Sequence, residues 1–133
     1  MYRCCLTSCF VFALVWSCGC GSGKSSTAPT ATVKGTVNID KKPVPTGEIH
    51  FGMPGVPPRV LEIKDGNFSG EVPAGKNQVE VYIYVEGPAS TKYGGERSKQ
   101  NTTPQKYWGP NTILSAQVNP GEANEFKFDI TSK

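Results

Sequence analysis

The sequence predicts an all-β fold, a single seven-stranded Greek-key β-sandwich, placed after an export leader and a flexible tether. Three observations predict it. From Lys76 the residues alternate, with Val79, Val81, Ile83 and Val85 on one face and Gln78, Glu80, Tyr82, Tyr84 and Glu86 on the other, the period of a half-buried strand. Turn signals recur at short spacing, above all Asp65-Gly66, which supplies the positive φ angles of a type I′ hairpin turn, and Pro73-Ala74-Gly75. No segment carries a helical period, and 15 Gly and 11 Pro among 133 residues suit a turn-rich β domain.

Taken in order, Thr32 to Ile39 sets Val33, Gly35, Val37 and Ile39 against Lys34, Thr36 and Asn38, a strand with one face inward. Asp40 to Gly47 reads as a turn whose two prolines cannot join a ladder. Glu48 to Phe51 is the second strand, Gly52 to Pro58 a Gly/Pro-rich connection, and Val60 to Lys64 the third. Asn67 to Val72 follows the Asp65-Gly66 reversal, and the long central strand begins at Lys76. Beyond Glu86 the alternation stops, so Gly87 to Pro104 reads as a long loop of the kind that is functional or disordered. Ile113 to Val118 and Asn124 to Thr131 close the domain, with Leu114, Ala116, Val118, Phe126, Phe128 and Ile130 inward.

The first 19 residues read as an export signal. Arg3 supplies the positive start, and Phe10 to Trp16 is an apolar core too short to span a bilayer as a permanent helix. The run Trp16-Ser17-Cys18-Gly19-Cys20 resembles the bacterial lipobox, in which a small residue precedes a cysteine that is diacylated before cleavage. Cys20 is the expected lipid attachment point, with Cys18 the alternative: Gly19 before Cys20 is small, whereas Cys18 would put Trp16 two residues before it. The expected division is a lipoprotein signal peptide over 1–19, a flexible tether over 20–31 and the β-sandwich domain over 32–133. Gly21 and Ser22 after the cysteine carry no evident inner-membrane retention signal, so a bacterial cell envelope is expected, with the outer membrane favoured.

Composition narrows the function classes. The formal net charge is +3, and +2 once Arg3 leaves with the leader, too small and too interspersed for a nucleic-acid partner. All five cysteines lie within the first 20 residues, so the domain has neither an internal disulfide nor a thiolate metal cluster and depends on apolar packing. Cys18 to Ser25 departs from the P-loop pattern by a cysteine at the first glycine. A leader precedes it and a Ser/Thr/Pro-rich tether follows, in place of the strand and helix that hold phosphate, so no nucleotide and no other cofactor is expected.

Gly35-Thr36-Val37, Lys42 to Phe51, Asp65-Gly66-Asn67-Phe68 and Val72 to Lys76 resemble the carboxypeptidase regulatory-like, transthyretin-related (prealbumin-like) β-sandwich domains. The ending, Pro104 to Tyr107, Thr112 to Leu114 and Phe126 to Ile130, is similar to the small lipoproteins of this type found in planctomycete-like bacteria. The resemblance implies a transthyretin-like fold over Val33 to Ile130 and, since that family is an accessory domain beside catalytic ones, a structural or binding role without catalysis. It implies no site residue.

The residues themselves supply few candidates for chemistry. His50 is the one histidine and shares an outward strand face with Glu48, but zinc needs three or four ligands and the other carboxylates are scattered, so no metal site is expected. No serine sits in a nucleophile elbow. The aromatics are the better candidates: Tyr93, Tyr107 and Trp108 in the loops, with Tyr82 and Tyr84 outward on the central strand, can stack on sugars or anchor a protein, or can pack under the long loop. Expected partners are the membrane, through the lipid, and an envelope protein or polysaccharide. The alternative function is therefore a carbohydrate-binding module for cell-wall or extracellular polysaccharide.

Overall fold

Strand pairing in the computed structural model, which describes residues 28–89 and 97–133, follows the period-2 pattern closely. Nine strands form: β1 (Thr30–Ile39), β2 (Lys42–Pro43), β3 (Thr46–Met53), β4 (Val56–Lys64), β5 (Asn67–Pro73), β6 (Gly75–Ala89), β7 (Arg97–Asn101), β8 (Leu114–Val118) and β9 (Asn124–Ile130). They make one curled, mostly antiparallel sheet in the order β2-β1-β5-β4-β3-β6-β7, with β8 added to β6 and β9 to β1. The chain is therefore all-β, with no α-helix among the described residues and one 3-10 turn at Gln105–Tyr107. Cys18, Cys20 and Tyr93 lie outside the described residues.

The count of nine replaces the seven expected, and the two additions have local causes. Asp40 and Lys41 both take positive φ, 48° and 67°, and reverse the chain within two residues, so Lys42 and Pro43 return as β2 opposite Ile39 and Asn38. Val44 then enters the core and bonds Val37 and Gly66 through its backbone. The second addition is β7. Within the expected loop from Gly87 to Pro104, β6 continues to Ala89 and Arg97 to Asn101 return as a strand that pairs Tyr84 with Asn101 and Glu86 with Lys99. All five β7 residues are exposed, so backbone pairing with β6 holds the strand and no hydrophobic period marks it.

Boundaries also move. β1 begins at Thr30, two residues inside the expected tether, because Thr30 and Ala31 pair with Pro73 and Val72. The expected connection over Gly52 to Pro58 shrinks to a reversal around Pro54 and Gly55, the latter at φ 77°. Pro57 and Pro58 are tolerated in β4 because the register shifts beside them, between Phe51↔Arg59 and Met53↔Val56. The Asp65-Gly66 turn forms as expected, at φ 49° and 78°.

The core lies on the inner faces of β1, β3, β5, β6, β8 and β9, with Ile63 of β4 and Val44 added to it. Phe51 meets Phe68 and Phe126 at ring separations of 6.0 and 6.4 Å, and Phe68 stacks on Phe128 at 6.1 Å. The parallel pairing of β1 with β9 passes over Gly35, where a Cβ would sit 2.0 Å from the Phe126 carbonyl oxygen and 2.7 Å from the Phe68 ring. Only glycine fits there. The alternation in β6 places Val79, Val81 and Ile83 inside as expected, adds Asn77 to that face fully buried, and leaves Val85 about half exposed beyond the core. Asn77 donates to the carbonyls of Pro73 and Gly75 at 2.8 and 3.1 Å and so holds the turn that starts its own strand.

Candidate functional site

Antiparallel pairing of β3 with β6 sets Glu48 opposite Tyr82 and His50 opposite Glu80, and all four side chains leave the sheet on the face away from the core. Strand parity alone places them there: their neighbours Ile49, Phe51, Val81 and Ile83 point inward and are buried. On this outer face Tyr82 stands at the centre of an aromatic group. Its ring lies 4.6 Å from His50, 6.4 Å from Tyr84 at an interplanar angle of 15°, and 5.9 Å from Trp108.

Trp108 arrives from the connection between β7 and β8, which is tied to β6 along its length. Thr103 Oγ1 accepts from the Ile83 amide at 2.7 Å, the Thr102 amide donates to the Ile83 carbonyl at 2.9 Å, and Thr112 Oγ1 donates to the Val79 carbonyl at 2.7 Å. Within that frame the 3-10 turn at Gln105–Tyr107 turns Trp108 back over the sheet, where its Nε1 donates to the Thr103 carbonyl at 2.9 Å. Of the aromatics singled out in the sequence, Trp108 therefore joins Tyr82 and Tyr84, half-buried, as the covering segment of the sheet. Tyr107 does not join them. Only 5% of it is exposed, and its hydroxyl bonds both the Thr131 hydroxyl and the Thr131 amide at 3.1 Å, clamping the chain end to the 3-10 turn. A ring enclosed on all sides has no face to offer a sugar.

Carboxylates are interleaved with these rings. Tyr82 donates its hydroxyl proton to Glu80 Oε2 at 2.6 Å. Glu48 Oε2 lies 3.3 Å from His50 Nε2 and accepts from the Tyr84 hydroxyl at 3.4 Å. Burial, reinforced by Glu80, pushes the Tyr82 hydroxyl up to about 12, and burial with Glu48 raises that of Tyr84, so both remain donors at neutral pH. The second oxygen of each carboxylate, Oε1, takes no hydrogen bond from a described residue. Beside this group a cleft of about 300 Å³ opens between β4, β3 and β7, lined by Thr46, Glu48, Val60, Glu62, Tyr84 and Lys99.

The pair Glu48 and His50 is thus brought together as its spacing suggests, and no group of three His, Cys, Asp or Glu side chains converges among the described residues. Larger troughs, of about 350, 520 and 630 Å³, lie elsewhere on the surface. Most of the charged side chains that line the two largest are paired, Lys34 with Glu125 at 3.3 Å, Lys64 with Glu62 at 2.9 Å and Lys127 with Asp129 at 3.2 Å. The outer face of β3 and β6 differs from these in its aromatic content. Spacing in the sequence pairs Glu48 with His50 and Tyr82 with Tyr84 along their own strands; what gathers the two pairs is the register of two strands separated by about 30 residues.

No family profile and no curated protein matches the chain. Among solved structures the chain is similar to a DUF3823 family protein from Parabacteroides merdae, with 11% identity and a TM-score of 0.43 over 78% of this chain and 47% of that one, so the likeness spans about half of that protein's length.

Proposed function

We propose that this protein is a lipid-anchored module of a bacterial cell envelope that works by binding and not by catalysis. Its fold is read as a two-layer Greek-key β-sandwich of the carboxypeptidase regulatory-like, transthyretin-like type. The observation that carries the binding role is the aromatic and carboxylate group on the outer face of β3 and β6, built from His50, Tyr82, Tyr84, Trp108, Glu48 and Glu80. A face turned away from the core has no folding requirement for four rings. Two features support the layered reading: β4 and β5 pair only at Lys64↔Asn67 before they part, and Phe51 of β3 meets Phe68 of β5 and Phe126 of β9 between the inner faces. Support for the anchor comes from the lipobox-like run ending at Cys20, with the outer membrane the favoured site.

Detergent phase partitioning with a clickable fatty-acid label tests the anchor. The full chain is expected in the detergent phase and labelled, the Cys20→Ala form unlabelled and aqueous, and the Cys18→Ala form unchanged. A Cys18→Ala/Cys20→Ala double variant that still partitions into detergent overturns the reading.

A second reading, a carbohydrate-binding module for envelope or extracellular polysaccharide, is favoured by the same outer face. The residues that would carry it are Tyr82, Tyr84 and Trp108, in place of the enclosed Tyr107.

A further inference from the structure

The carbohydrate reading can be taken further, to a class of sugar, by the two carboxylates set among the rings. On the outer face of β3, β6 and the strands beside them Glu48, Glu62, Glu80 and Glu86 face Lys64, Lys76, Arg97 and Lys99, so the described charges balance. Glu62 is spent on Lys64 at 2.9 Å and Glu86 on Arg97 at 3.3 Å, which leaves the carboxylates of Glu48 and Glu80 beside the rings, with Lys99 at the rim of the cleft. Glu48 and Glu80 have their Oε2 atoms occupied by His50 and the two tyrosine hydroxyls, and those bonds fix the carboxylates beside the rings. Among the described residues neither Oε1 receives a hydrogen bond. Apolar surface adjoins them: Val60 is 50% exposed and faces His50 in register across the β3–β4 ladder, and Tyr84 walls the cleft.

Those groups suit a ligand with three properties at once. It needs a flat apolar face to lie on Tyr84 and Val60, hydroxyl or N–H donors for the open carboxylate oxygens, and positive charge, because an anion beside Glu48 and Glu80 would meet like charge. A pyranose with a free amino group has all three: its axial C–H face is apolar, its hydroxyls donate, and its ammonium is attracted both by carboxylate and by an aromatic face. Resting on the carbohydrate reading above, we infer that the outer face of β3 and β6 binds an amino-sugar chain, with Tyr84 as the stacking platform, Glu48 and Glu80 as the ammonium and hydroxyl acceptors, and Tyr82 and His50 as the residues that position them.

Isothermal titration calorimetry on the full chain in detergent tests this, with a glucosamine hexamer as ligand and an N-acetylglucosamine hexamer, a galacturonic-acid hexamer and hexalysine as contrasts. The glucosamine hexamer is expected to bind, the N-acetylated one to bind about ten-fold more weakly, and the galacturonate not at all. Tyr84→Ala and, separately, Glu48→Gln should each weaken binding about ten-fold, with the melting temperature recorded alongside; the isosteric Glu48→Gln keeps the test open where Tyr84→Ala perturbs folding. Hexalysine binding as tightly as glucosamine overturns the inference, because charge alone then accounts for it. Binding that survives both substitutions overturns the assignment to this face. Galacturonate or N-acetylglucosamine binding best, lost in the variants, sinks the amino-sugar class and leaves the carbohydrate reading standing; no binding by any sugar sinks both.

Discussion

Ile49, Phe51, Val79 and Val81 lie on one face of the β3–β6 ladder, none of them exposed, and Glu48, His50, Glu80 and Tyr82 lie on the other, half-buried among themselves. The same two strands in the same register make both. The inner residues are shielded from across the core, by Phe68, Phe126 and others on strands distant in the chain. The outer residues are shielded sideways, by their neighbours in the sheet and by Trp108. An inner substitution therefore opens a cavity in something close-packed, while an outer one changes hydrogen bonds and exposed ring area and leaves the ladder intact. Parity along a strand thus separates the side chains that carry stability from those that lie outside the core.

The largest effect that could break this division is at Phe51. Phe51→Ala should destabilise the domain by about 3–5 kcal/mol, measured by urea denaturation, because two ring contacts and the full side-chain volume are lost from a site with no exposure. A loss below about 1 kcal/mol would mean that the inner face is not the tightly packed one. The inner face also holds a polar member. Asn77→Ala removes the donors to the Pro73 and Gly75 carbonyls and should cost about 1–3 kcal/mol in the same measurement, with the damage centred on the β5–β6 turn in hydrogen exchange.

The smallest effect belongs to the outer face and appears only in alkali. The Tyr82 hydroxyl titrates at about 12 in the folded chain against an ordinary 10 in the unfolded one. Between those values the unfolded chain has released the proton that the folded chain retains, so the contribution is complete below about pH 10 and is lost as pH rises toward 12. Tyr82→Phe should flatten the fall in melting temperature across that window and change little at pH 7. An unaltered alkaline slope in Tyr82→Phe would show that the hydroxyl is not held by Glu80 and burial.

Much of the architecture was legible because it is local. Alternation in β1, β6, β8 and β9 and the Asp65-Gly66 turn are properties of adjacent residues, and they appear where the chain pattern places them. β7 was not legible, since Arg97 to Asn101 buries nothing and its pairing energy comes from a partner strand. β2 was hidden for a different reason: Lys41 takes a left-handed conformation that its side chain does not advertise. The start of β4 was masked by Pro57 and Pro58, which argue against a strand in isolation and are admitted at a register shift. In the candidate site, the outward direction of Tyr82, Tyr84, Glu48 and His50 could be read from parity, but the enclosure of Tyr107 could not, because Thr131, the group that claims its hydroxyl, lies 24 residues further along.

What the sequence determined by itself is the all-β character and the inward and outward sense of most side chains. These depend on the pleat and on turn residues, which act over a few positions. Only the tertiary structure decided which strands lie side by side, that β1 runs parallel to β9 over a glycine, and that His50, Tyr82, Tyr84 and Trp108 form one surface. Register between distant strands is set by how the whole inner face packs, and no short stretch of the chain contains that information.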